Sequence, residues 1–185
     1  MKAILSTAIF AALTLVSALP CLAQQKRLSP HETISQTFGG RDNRVVIVYG
    51  RPYTKDPHTG AMRKIWGTLV PYDQVWRTGA DEATLLCLEK PIVIGGTNLP
   101  AGAYSLYTIP HADGTAQLII NSQVGQWGLT YDQKLDVARV DLTRTALDTP
   151  VDQITIALAR NPSGGGILQL QWENTQYSVA FTIAK

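Results

Sequence analysis

The sequence predicts an all-β protein, a single-domain β-sandwich of about eight to ten mostly antiparallel strands with two long loops. Three observations carry this. Beyond the first 23 residues no long 3.6-residue apolar periodicity occurs. Short runs in which apolar and polar residues alternate recur instead. Glycine, proline and asparagine clusters punctuate those runs at the spacing of turns.

Residues 1–23 read as a signal peptide. Lys2 and the free amine form a small positive region, and the stretch over 3–19 is apolar and free of charge. Pro20 ends it, and Cys21-Leu22-Ala23 places small residues at the −3 and −1 positions of a cleavage before Gln24. Removing 23 of the 185 residues leaves 162, read as one domain, 24–185, long enough to bury roughly 70% of its unfolded surface. That chain carries no further apolar run of spanning length, so no membrane span is expected after cleavage, and the expected location is periplasmic or secreted. Loss of Lys2 lowers the basic excess from two to one, and no basic stripe remains to attract nucleic acid. Of the two cysteines only Cys87 is left, which excludes an internal disulfide. It lies in an apolar run and reads as a buried, inert thiol rather than a nucleophile.

The elements follow in order. Ser29-Pro30-His31-Glu32 has the form of a helix capping box, but the alternation from Thr33 to Phe38 outweighs it and predicts a strand. The β-branched run over 45–49 forms the next, closed by Gly50-Arg51-Pro52. Residues 81–88 form a third, with Ala83, Leu85 and Cys87 as its uniformly apolar face. Ile92-Val93-Ile94 follows, ended by Gly95-Gly96, and Leu99-Pro100-Ala101-Gly102 suits a type I turn. Residues 103–109 and 115–121 pair as a hairpin, and 137–142 is a weaker strand. Farther on, Ile154, Ile156 and Leu158 share one face. After the Ser163-Gly164-Gly165-Gly166 turn, Leu168, Leu170 and Trp172 share another. Asn174-Thr175 is expected to close a tight hairpin into Tyr177, Val179, Phe181 and Ile183. The long connections, 51–78 and 122–136, are where function is expected to sit.

The candidate chemistry gathers at those connections. Trp76-Arg77-Thr78-Gly79-Ala80-Asp81-Glu82 concentrates charge in a chain only 16% charged. Glu82 shares a strand face that begins polar and turns apolar, so it needs a partner or a raised pKa. Arg77 is the nearest candidate partner. The pair reads either as a bridge pinning loop to strand or as part of a ligand-facing cluster. Tyr49 and Arg51 form a second aromatic–cation cluster, suited to carboxylate, phosphate or sugar hydroxyls. Trp127, between glycines, forms a third. The ligand-binding candidates are therefore Tyr49, Arg51, Trp76, Arg77, Glu82 and Trp127. No catalytic residue is assigned. His31, His58 and His111 are far apart in sequence, so no metal site is expected, and the absence of a phosphate or dinucleotide fingerprint implies no cofactor.

The chain resembles a bacterial family known as domain of unknown function 2911, from about Ser29 to Ile183. The carrying motifs are Ser29-Pro30-His31, Tyr49-Gly50-Arg51-Pro52, Trp66-Gly67 with Leu69-Val70-Pro71-Tyr72, and Val75 to Thr84. Pro100-Ala101-Gly102-Ala103-Tyr104-Ser105-Leu106-Tyr107 and Gly125-Gln126-Trp127-Gly128 complete them. The resemblance implies an exported, mostly β protein with no assigned activity. In its pattern Asn is usual where this chain has Asp81, and the loop after Arg51 is shorter, so residues 54–62 look like a local insertion outside any shared site. The function expected is binding of a small polar ligand or glycan, with oligomeric state left open. The alternatives are a hydrolase centred on Glu82, with Asp81, Asp73 or Asp132 as second carboxylate, and a structural envelope protein without a ligand.

Overall fold

The structure, a computed structural model, describes residues 27–39 and 43–184. The predicted signal peptide lies outside them. The chain is all-β and sandwich-like, and among the described residues nine antiparallel strands form one continuous sheet. They are β1 (His31–Thr37), β2 (Arg44–Gly50), β3 (Ala80–Leu88), β4 (Ile92–Ile94), β5 (Thr97–Leu99), β6 (Gly102–Pro110), β7 (Ala116–Asn121), β8 (Asp136–Arg160) and β9 (Gly166–Ile183). A 3₁₀ turn, Gln133–Leu135, precedes β8. The strand order is β1-β2-β3-β6-β7-β8-β9-β4-β5. No described helix is long and apolar enough to cross a membrane.

The sheet closes over its core because β8 is long enough to belong to both halves. Its start pairs with β7, Ala116 opposite Leu142, and from Thr143 onward it pairs with β9. A register break between Ala146 and Val151 bends it. The runs read separately as 137–142 and 154–159 are therefore one strand. Ile47, Leu86, Leu106 and Leu118 from one half and Ile156, Leu170, Trp172 and Phe181 from the other belong to the same buried cluster.

Three expectations change. Asn174-Thr175 does not form a hairpin, since β9 runs straight through it with Thr175 opposite Ala146. The irregularity is absorbed by Glu173, in the left-handed region at φ 49. Second, Cys87, expected to be buried, is only half-buried, as is Leu85, while Thr84, Leu86 and Leu88 on the other face of β3 are buried. The apolar alternation of Ala83, Leu85 and Cys87 was real, but the opposite face was bulkier and took the core. Third, Gly95-Gly96 turns directly into another strand: both glycines have positive φ, and Ile92 pairs back with Leu99.

One connection sets up the site. Past β2, the chain crosses onto the free edge of β8: Ile154 donates its N–H to the Pro52 carbonyl at 3.1 Å, and Thr54 donates to Asp152 at 2.7 Å. This edge pairing carries the long loop from one half of the sandwich to the other.

Candidate functional site

A cleft of about 290 Å³ opens where that loop meets the start of β3. One wall is the loop itself, with Asp56, His58 and Arg63. The floor holds Trp76 and Trp172, and the far side is Arg77, Gly79 and Asp81. Leu28 and Ser29 close the N-terminal side. The stretch 54–62, read as an insertion apart from any site, thus supplies one of its walls.

The floor is an aromatic stack. Trp76 and Trp172 lie nearly parallel, centroids 5.9 Å apart, and Trp66 meets both edge-on at 6.4 and 6.3 Å. Trp172, from β9, is fully buried, while Trp76 is half-buried and tied to β6 by reciprocal 2.8 Å hydrogen bonds with Thr108. Loop tryptophans 66 and 76 are thereby fixed by a strand tryptophan.

The backbone carrying Arg77 and Asp81 is strained. Thr78, a β-branched residue, sits at φ 55 and Asp81 at φ 65. Strain of this kind costs about 1–3 kcal/mol per residue and persists only where its surroundings enforce it. Here they do: Thr78 is buried, shares a 2.8 Å hydrogen bond with the Thr108 hydroxyl, and accepts from Thr84 at its carbonyl at 3.0 Å. Gly50 permits the crossing below, because any side chain there would run into the Ala80 carbonyl.

Arg77 does not pair with Glu82. Its guanidinium lies over the Trp127 ring, 5.7 Å from the centroid, and no carboxylate among the described residues bridges to it. Gly128 allows the loop to cover Arg77, since a side chain at 128 would collide with it, and the Gly128 N–H holds the Asp81 carbonyl at 3.0 Å. Trp127 itself is half exposed. Arg63 is similarly without a carboxylate. It donates to the Tyr53 carbonyl, and its Nε is buried with no acceptor.

The partner of Glu82 is Arg27, which sequence reasoning did not consider. Arg27 grips the carboxylate with both guanidinium nitrogens, Nη2 at 2.7 Å from Oε1. That hydrogen bond is the main reason the Glu82 carboxyl is held down to about 2, against partial desolvation. His31 and Asp81 complete the cluster: His31 Nε2 is 2.8 Å from Arg27 and 3.2 Å from Asp81 Oδ2. Fifty residues separate His31 from Asp81. Only the pairing of β1 with β2, and of β2 with β3, brings them together.

Tyr49 and Arg51 sit elsewhere. Tyr49 is buried, donates to Glu32 at 2.7 Å and accepts from the Ile156 N–H at 2.9 Å. Burial, first, pushes its hydroxyl up to about 12. Arg51 bridges to Glu32 at 3.1 Å and donates to the Ile154 carbonyl at 3.0 Å. Both face β8 rather than the cleft. The other carboxylates considered with Glu82 are likewise engaged, Asp73 with His111 at 2.5 Å and Asp132 as the cap of the 3₁₀ turn. Of the six candidates, Trp76 and Arg77 line the cleft, Glu82 and Trp127 flank it, and Tyr49 and Arg51 join the two halves of the sandwich.

The family model described as protein of unknown function (DUF2911) matches residues 29–181, nearly the whole described chain, and the chain belongs to that family. No curated protein and no solved structure matches it.

Proposed function

We propose that this member of the DUF2911 family is an exported binding module whose cleft takes a small polar ligand bearing an anionic group, an acidic sugar being the type best suited. The reading rests on one observation: two arginines without carboxylate partners among the described residues, Arg63 and Arg77, face a cleft floored by stacked indoles. A guanidinium with no internal counter-charge is ready for a bidentate carboxylate or phosphate, and an indole face suits the apolar side of a sugar ring. The volume fits a small ligand rather than a polymer chain. The strained Thr78 and Asp81 backbone holds the polar groups in place before a ligand arrives.

The hydrolase alternative gains less support. A carboxyl held near 2 by a guanidinium is a poor proton donor at neutral pH. A thermal-shift panel of neutral sugars, uronic acids, dicarboxylates and sugar phosphates tests the binding reading. Anionic members are expected to raise the melting temperature, and the gain is expected to vanish in Arg77→Ala. A panel with no stabilising member, or stabilisation retained in both Arg77→Ala and Arg63→Ala, refutes it in favour of a structural role.

A further inference from the structure

We propose that His31, Asp81 and Glu82 form a divalent-cation site at the rim of the cleft, and that Arg27 occupies the cation's position when no metal is bound. One donor atom from each of the three residues lies within 4.8 Å of the others. A guanidinium only donates, so His31 Nε2 either meets the 2.8 Å contact from Arg27 Nη1 with its lone pair or turns a proton toward Asp81 Oδ2 at 3.2 Å, and it cannot do both. In the first arrangement the 3.2 Å approach to Asp81 Oδ2 and the 3.5 Å approach to Glu82 Oε2 set acceptor against acceptor. Such an arrangement needs a positive centre between the atoms.

Arg27 is an imperfect one. Nη1 carries two protons, yet three acceptors surround it: His31, Glu82 and, at 3.6 Å, Asp81. A dication has no such limit. Ligand atoms about 2.1 Å from a metal stand about 3.0 Å apart at right angles and about 3.4 Å apart at tetrahedral angles. The 3.2 and 3.5 Å from His31 Nε2 to the two carboxylates fall close to that spacing, and all three donor atoms lie within 4.8 Å of one another. Imidazole with two carboxylates suits zinc or manganese better than calcium or magnesium, which favour all-oxygen sets. The side chains are 26%, 27% and 40% exposed, so an ion can enter and keep water on its open positions. The inference stands on these donors alone, although Asp81 also lines the cleft and would bring the ion to its edge.

The test uses the metals without any cleft ligand. The protein is expressed from its full sequence, purified without a histidine tag, stripped with chelator and titrated with Zn²⁺ by calorimetry and with Mn²⁺ by electron paramagnetic resonance. One saturable ion per chain is expected. Asp81→Asn keeps a side chain tolerant of positive φ, and His31→Ala lies on an exposed strand face; each is expected to weaken binding by more than about tenfold while preserving the circular dichroism spectrum. Arg27→Ala is expected to tighten binding by removing the competitor, and His111→Ala to leave it unchanged. No saturable binding by the native sequence, binding seen only in Arg27→Ala, or binding undiminished in both Asp81→Asn and His31→Ala overturns the proposal.

Discussion

Replacing Tyr49 by Phe should destabilise the protein without touching the cleft. The hydroxyl accepts from the Ile156 N–H at 2.9 Å, and Ile156 is 3% exposed, so its donor is left buried and unpaired. Such an orphaned group costs about 1–3 kcal/mol. Glu32, the other partner, is only partly buried and keeps Arg51 at 3.1 Å, so it adds little. At roughly 2–4 °C per kcal/mol for a chain of this size, the melting temperature should fall by about 2–12 °C. The same hydroxyl predicts a pH dependence. Its pKa rises from 10.0 to about 12 on folding, so the unfolded chain releases this proton first. The Tyr49 contribution is therefore complete below pH 10 and is lost as pH climbs through 12, by up to about 3 kcal/mol. Urea unfolding of both proteins from pH 8 upward measures this: the gap between them should be constant to pH 10 and then narrow. A melting temperature within about 1 °C of the parent, or a gap that widens with pH, refutes Tyr49 as the pin between β2 and β8. Loss of ligand stabilisation at unchanged folding would return Tyr49 to the binding site.

Other substitutions separate structure from binding. Arg77→Ala removes a partly exposed cation–π contact and orphans no charge, so it should cost only about 0.5–1 kcal/mol by chemical denaturation, while abolishing ligand-dependent stabilisation. Gly128→Val forces a side chain onto Arg77 and to within 2.8 Å of the Asp81 carbonyl. It should cost about 1–3 kcal/mol and weaken ligand binding in the same thermal-shift assay. Gly50→Ala places a methyl group against the Ala80 carbonyl and 3.1 Å from His31 Nε2. Because backbone cannot yield there, a loss of about 1–3 kcal/mol is expected, with displaced His31 resonances in NMR spectra.

Strand content was legible because alternation is local. The runs over 33–38, 45–49, 81–88 and 103–109 announce themselves within a few residues, whatever they later pair with. Alternation alone did not fix which face of β3 turned inward, since both carry apolar residues; the bulkier Leu86 and Leu88 pack against the opposite half and Cys87 stays half-buried. Glu82 was correctly recognised as a carboxylate needing a partner, but the five-residue neighbour Arg77 was the natural candidate. Arg27 won because the start of β1 lies beside β3 only after β2 has paired with both. No local signal in the sequence could have nominated it.

By itself the sequence determined that this chain is built of strands, that three of its four tryptophans lie in the long connections, and that Glu82 needed a partner or a raised pKa. Tertiary structure decided which of those residues meet. Backbone periodicity is a property of neighbours, whereas a guanidinium finds its carboxylate through the register of three paired strands and the bend of a fourth. That register brings residues 27, 31, 81 and 82 to one rim and sends Tyr49 and Arg51 to the seam, because hydrogen-bonded ladders move whole side-chain sets together.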